Sequence, residues 1–163
     1  MIDLRSDTIT KPSDSMREAA KTAEVADDKR DGDPTVRELE SRVADLLGMD
    51  AAVFVPSGTM ANQIAIRAHI EPGEEIVHDR RAHVYTSEYA GMAQLSQAQV
   101  RPIDFGENGY PTPDEVRAGV AERSQWPGTG LLTLENTHNK RGGIAIDADA
   151  LTNAARAAHD LDI

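Results

Sequence analysis

The residues best placed to do chemistry sit in Pro56-Ser57-Gly58-Thr59-Met60. An apolar run from Ala51 to Val55 predicts a short buried strand, broken by Pro56, and a helical pattern then begins with Met60, Ile64 and Ile66. Ser57, Gly58 and Thr59 are therefore expected where a strand end hands over to a helix N-terminus. Unpaired backbone N–H groups and the positive end of the helix dipole point outward at such a corner. Gly58 lets a bound group approach the backbone closely, and the hydroxyls of Ser57 and Thr59 add donors. This chemistry suits a phosphate. An ordinary Ser/Thr N-cap is the competing reading of the same stretch.

Other potentially reactive groups are fewer. The loop around Asp27-Asp28 and Asp31-Gly32-Asp33 gathers carboxylates, but its spacing does not match an EF-hand, so it reads as a solvated turn with no metal expected. The chain has no cysteine, which removes thiolate chemistry, disulfides and cysteine-based zinc sites. Asp and Glu number 28 against 17 Lys and Arg, a formal net charge of −11. That balance repels a phosphate backbone and argues against nucleic acid as a partner. The sequence shows no run of about 18 or more apolar residues and no basic-then-apolar leader, so neither a membrane span nor a secretory signal is expected, and a cytoplasmic location is the default.

The elements that must position these residues follow from periodicity. Pro12-Ser13-Asp14 starts a first helix carrying Met16, Ala19, Ala20 and Ala23 on one face. A second runs from Thr35 to about Leu47, with Val36, Leu39, Val43, Leu46 and Leu47 spaced three and four apart and Gly48 as its C-cap. After the Ala51–Val55 strand and a helix over Thr59–Ile70, strands are predicted at Glu75–His78, Gln99–Ile103 and Gly130–Glu135. Helices are predicted at Tyr85–Met92, Thr112–Val120 and Ala148–His159, the last opened by Asp147. Alternating strands and helices predict an α/β three-layer sandwich with a mostly parallel sheet. The final helix ends where another strand is expected, so the domain reads as incomplete.

Taken together, several blocks resemble the threonine aldolase family of fold-type I pyridoxal-phosphate (PLP) enzymes. They are Ile2-Asp3-Leu4-Arg5-Ser6-Asp7-Thr8, Asp33-Pro34-Thr35, Pro56-Ser57-Gly58-Thr59-Met60, Ala82-His83 and Leu134-Glu135-Asn136-Thr137-His138-Asn139. The order and spacing are family-like across the whole chain. The resemblance implies an aspartate aminotransferase-like large domain, with residues 1–163 forming the N-terminal arm and its first half. It implies PLP as cofactor, an amino acid as small-molecule substrate and a homo-oligomeric assembly. The implied reaction is retro-aldol cleavage of a β-hydroxy-α-amino acid to glycine and an aldehyde, with the pyridinium accepting the electrons of the broken Cα–Cβ bond.

The same resemblance implies roles for individual residues. Gly58 and Thr59 match the phosphate cup, with Ser57 adjacent. His83 matches the imidazole that stacks on the cofactor ring and lies near the substrate hydroxyl. Without that context, a single histidine here would more often be structural. Ser6 lies in the arm that helps bind the substrate carboxylate. Glu135, Asn136, Thr137 and His138 follow a strand end, where open α/β sheets place ligands, and either contact the cofactor or form a structural network. Glu88, one helical turn past Val84, is a lesser candidate.

Departures from the family pattern are also visible. The Schiff-base lysine, the acidic partner of the pyridine nitrogen and the arginine after it belong to a later part of the family sequence. None of Lys11, Lys21, Lys29 or Lys140 stands in a matching context. A family His-Phe pair is replaced by Gln125-Trp126, which makes Gln125 the substrate-hydroxyl contact without the ability to act as a base. A family Val-Tyr-Gly is replaced by Lys29-Arg30-Asp31. Two further readings therefore accompany the aldolase. One is a non-catalytic half that binds a partner half or a phosphorylated ligand. The other is a PLP β-eliminating lyase acting on a related amino acid.

Overall fold

Local capping decides where most elements begin. The computed structural model describes residues 2–121 and 127–163, and the chain divides into two compact units, Met1–Phe54 and Val55–Ile163. In the first unit, Ser13 caps α1 (Asp14–Thr22) by accepting from the Met16 amide at 3.3 Å. Helix α2 (Pro34–Leu47) starts on Asp33, whose carboxylate accepts from the Thr35, Val36 and Ala26 amides at 2.9–3.0 Å. Those amides, Ala26 and then Val36 foremost, hold the Asp33 carboxyl below its ordinary range. Gly48 ends α2 at φ 65°, a left-handed conformation that suits glycine.

The strand expected over 51–55 does not form. Val53 and Phe54 are largely exposed, and the Phe54 amide donates to the Glu40 side chain at 2.7 Å instead of to a ladder partner. An apolar run makes a strand only where a neighbour accepts its backbone bonds.

The second unit carries α3 (Gly58–His69), β1 (Glu75–Asp79), α4 (His83–Thr86), α5 (Gly91–Leu95), β2 (Gln99–Ile103), α6 (Pro113–Gly119), β3 (Thr129–Leu132) and α7 (Ala148–His159). The three strands among the described residues form a parallel sheet in the order β2-β1-β3, with Glu75 opposite both Gln99 and Thr129. Central β1 is buried along its whole length, as expected of a parallel strand covered on both faces. The alternation of β3 builds two cores. Leu131 packs with Ile76, Ile66, Ile70 and Met92, which come from β1, α3 and α5 and the end of α3. Leu132 packs with Val116, Ala154, Ala157 and Ala158 from α6 and α7. The result is helix, sheet, helix: the three-layer arrangement predicted from the pattern.

Two predicted elements are revised. The single helix over Tyr85–Met92 is two short helices, because Tyr89 and Ala90 adopt left-handed φ values of 54° and 57° and interrupt the ladder. The strand predicted over Gly130–Glu135 pairs only at Thr129–Leu132. On β1, His78 is fully buried with its ring 4.6 Å from that of Tyr85, and burial pushes its pKa below the usual value despite the contact with the Asp79 carbonyl. Among the described residues, no helix is long and apolar enough to cross a membrane.

Candidate active site

The site assembles at the C-terminal ends of the strands, where parallel sheets present their ligand-binding loops. β1 ends at Asp79, whose carboxylate accepts from the Arg81 amide at 2.6 Å and turns the chain straight into α4, which begins with His83. The chain leaving β3 leads to Glu135. The start of α3 lies on the same network, through its second turn.

At that start, Ser57 is the N-cap and its hydroxyl accepts from the Met60 amide at 3.1 Å, while the Ser57 carbonyl takes the Ala61 amide. The Gly58 and Thr59 amides precede any intrahelical acceptor and lie on an exposed segment. Among the described residues, nothing stands within 4 Å of the position a side chain at Gly58 would occupy, which leaves the backbone open to an anion. Ser57 acts as the N-cap and flanks the open amides.

The organising group is Glu88, named from the sequence only as a lesser candidate. Its side chain is fully buried, and its carboxylate accepts from Asn62 Nδ2 and Gln63 Nε2 at 2.7 Å and faces His83 Nδ1 at 2.8 Å. A carboxylate only accepts, so His83 Nδ1 carries the proton and Nε2 is left for chemistry. The His83 ring is 40 % exposed: one edge is held from the interior while the remainder is accessible.

Glu135 fixes the same residue from the backbone side. Its Oε2 accepts from the His83 amide at 2.6 Å and its Oε1 from the Asn139 amide at 2.7 Å. Asn136 Oδ1 accepts from the Ile146 amide at 3.1 Å. The hydrogen bonds of both side chains run to backbone amides. Ser6 lies in the first unit as the N-cap of a short 3-10 turn, accepting from the Thr8 amide at 3.3 Å. Gln125 lies outside the described residues. Lys140 is exposed in the turn 139–141.

Sequence reasoning missed Asn62 and Gln63, although both sit in the helix whose start it singled out. It also missed the ion-pair cluster in which Arg141 Nη2 bonds Asp79 at 2.6 Å and Asp104 at 3.3 Å while Arg80 pairs Asp104 at 2.7 Å. Against the opposing effect of burial, Arg80 and the Gly106 amide hold the Asp104 carboxyl below its ordinary range.

With this geometry in view, comparison with known proteins gives a family. A family model described as Beta-eliminating lyase matches residues 3–163. The chain belongs to the beta-eliminating lyase family. Within it, the low specificity L-threonine aldolase of Escherichia coli (strain K12) is 45% identical over 140 residues, covering 85% of this chain and 42% of the relative. Low-specificity L-threonine aldolase 1 of Arabidopsis thaliana is 37% identical over 152 residues, covering 91% and 42%. A solved structure from Exiguobacterium sp. 255-15, assigned to the aromatic amino acid beta-eliminating lyase/threonine aldolase group, superposes with a TM-score of 0.70 at 26% identity, over 94% of this chain and 42% of its own. One from Listeria monocytogenes EGD-E, assigned as an L-allo-threonine aldolase, gives 0.65 at 25% identity, over 78% and 34%. The chain thus spans less than half the length of these relatives. Members of the beta-eliminating lyase family are PLP-dependent. The open amides at Gly58 and Thr59 and the half-exposed His83 ring suit a phosphate and a flat cationic ring in kind.

Proposed function

We propose that the chain is the N-terminal arm and first half of the large domain of a PLP-dependent carbon–carbon lyase. Its substrate is a β-hydroxy-α-amino acid of the L-threonine or allo-threonine type, released as glycine and an aldehyde. The observation that carries this reading is the buried Glu88 carboxylate, which joins the second turn of α3 to His83 Nδ1 and so sets an imidazole in register with a helix start suited to phosphate.

The bound cofactor supplies an electron sink for the pair released from the Cα–Cβ bond. The chain's own residues do the rest. Gly58 and Thr59 donate their amides to the phosphate and Ser57 keeps the helix start in shape. His83 would lie against the cofactor ring. Because Glu88 commits Nδ1 as a donor, Nε2 is the atom that would receive the substrate hydroxyl proton as the hydroxyl carbon becomes the aldehyde, leaving that proton to be delivered to the Cα of the glycine product. Glu135 prevents the His83 backbone from drifting, and Asn136 steadies the loop beside it. Ser6 binds the substrate carboxylate and Gln125 its hydroxyl, in a homo-oligomer in the cytoplasm.

The protein containing this chain, supplied with PLP and L-threonine or L-allo-threonine, is expected to develop a visible absorption band from bound cofactor and to release acetaldehyde. His83→Asn is expected to lower kcat/KM by about 10²–10⁴-fold. The matching family description, Beta-eliminating lyase, favours one second outcome. Ammonia and a keto acid released from a β-substituted amino acid, with no aldehyde from threonine, would select elimination. A protein that takes up no PLP would leave only a non-catalytic half.

A further inference from the structure

One buried ring interrupts an otherwise continuous polar network. Arg80, Asp104, Arg141 and Asp79 are joined by contacts of 2.6–3.3 Å, and Glu135, His83, Glu88 and the α3 amides by contacts of 2.6–2.8 Å. Between the two halves stands His138, fully buried, its backbone locked by the Ile144 carbonyl and by the Arg141 and Gly143 amides. Its Nε2 lies 3.9 Å from Asp79 Oδ2 and its Nδ1 lies 3.9 Å from Glu135 Oε1. Neither nitrogen has a hydrogen-bond partner among the described residues. Burying two such atoms unpartnered is costly, and each faces a carboxylate that can take a proton bond after a small approach.

We propose that His138 is a positioning residue for His83: it bridges Asp79 and Glu135 and thereby ties the His83 backbone to the ion-pair cluster at the strand ends. Only the doubly protonated ring donates to both carboxylates at once, so the bridge is made and released by one proton. The charged groups that bear on the ring are Asp79 from β1, Glu135 beyond β3 and Arg141 from its own turn. Arg141 is adjacent because a side chain at Gly109 would meet both His138 Cδ2, at 3.0 Å, and Arg141 Cδ, at 2.8 Å. Asp104 and Arg80 act on the ring through Arg141. With the proton present, Glu135 is drawn toward His138 on Oε1 while Oε2 keeps the His83 amide. When the proton leaves, one of the two carboxylates is freed and His83 loses that restraint. The catalytic consequence rests on the lyase reading; the bridge itself does not.

Nuclear magnetic resonance of histidine-labelled protein, without cofactor or substrate, tests this directly. The His83 amide resonance is expected to show a step at the midpoint at which the His138 ring titrates, and that step is expected to vanish in His138→Gln. A His83 amide blind to the His138 midpoint, or a step that survives the substitution, overturns the bridge. If the variant does not fold, the titration of the unsubstituted protein decides alone. In the lyase assay, His138→Gln is expected to reduce kcat by roughly 10–100-fold with KM within about twofold and to remove one limb of the kcat–pH profile. A failed lyase assay with a responsive amide would discard the aldolase and keep the bridge, and a silent amide with aldehyde release would do the reverse.

Discussion

Glu88 shows how much a single buried carboxylate can organise when it is fully partnered. Two of its three donors, Asn62 and Gln63, come from α3 and the third is His83 of α4, and the Gln63 amide reaches it only because residue 91 is a glycine. A side chain at Gly91 would stand 2.6 Å from the Gln63 amide atoms. Gly91→Ala is therefore expected to push Gln63 off Glu88, destabilising the protein by about 1–3 kcal/mol and weakening PLP uptake. Urea unfolding and cofactor titration check the two effects separately, and an unchanged unfolding midpoint would contradict the packing argument. This residue-scale arrangement was half legible. His83, Gly58 and Thr59 stand in recognisable blocks, but the side chains that orient His83 lie 25 and 26 residues away from Glu88 on another helix. No local pattern records such a meeting.

Elements were most legible where a side chain caps its own helix. Thr112 and Glu115 form a reciprocal capping box, Asp147 accepts from the Asp149 and Ala150 amides, and Gly48 closes α2, so the bounds expected for these helices lie close to those found. Where tertiary contacts decide, the pattern misled. The apolar run over 51–55 pairs with no strand among the described residues, and the helical spacing over Tyr85–Met92 concealed two left-handed residues. Ala90 at φ 57° carries the ordinary cost of a Cβ in that conformation. Ala90→Gly is expected to raise stability by about 1 kcal/mol and leave lyase activity within about twofold. A lower thermal midpoint in that variant would show that the Ala90 methyl contributes packing that outweighs the strain.

At the scale of the molecule, the three layers were readable because β-strand alternation and helix periodicity send Leu131 and Leu132 to opposite cores. The acid sensitivity of that core was not readable, because it depends on where His78 is buried. Burial favours the neutral His78 ring in the folded state, so the unfolded chain binds the proton more readily. The stability this histidine permits is complete above its usual value of 6.5 and is lost as the pH falls below it. His78→Phe, which keeps a ring against Tyr85, is expected to flatten the loss of stability on the acid side of that value. Denaturation midpoints measured at several pH values check this, and an equally steep decline in the variant would assign the sensitivity to other groups.

The sheet order also sets a schedule for synthesis. Of the three described strands, β1 is made before the other two and lies between them, with both neighbours supplied later in the chain. Until Thr129–Leu132 has left the ribosome, one side of β1 has no partner for its backbone. Pairings this distant in sequence form slowly, since the intervening chain must be closed before any contact rewards it. Nascent chains halted between β2 and β3 would therefore expose an open strand edge that a chaperone could protect.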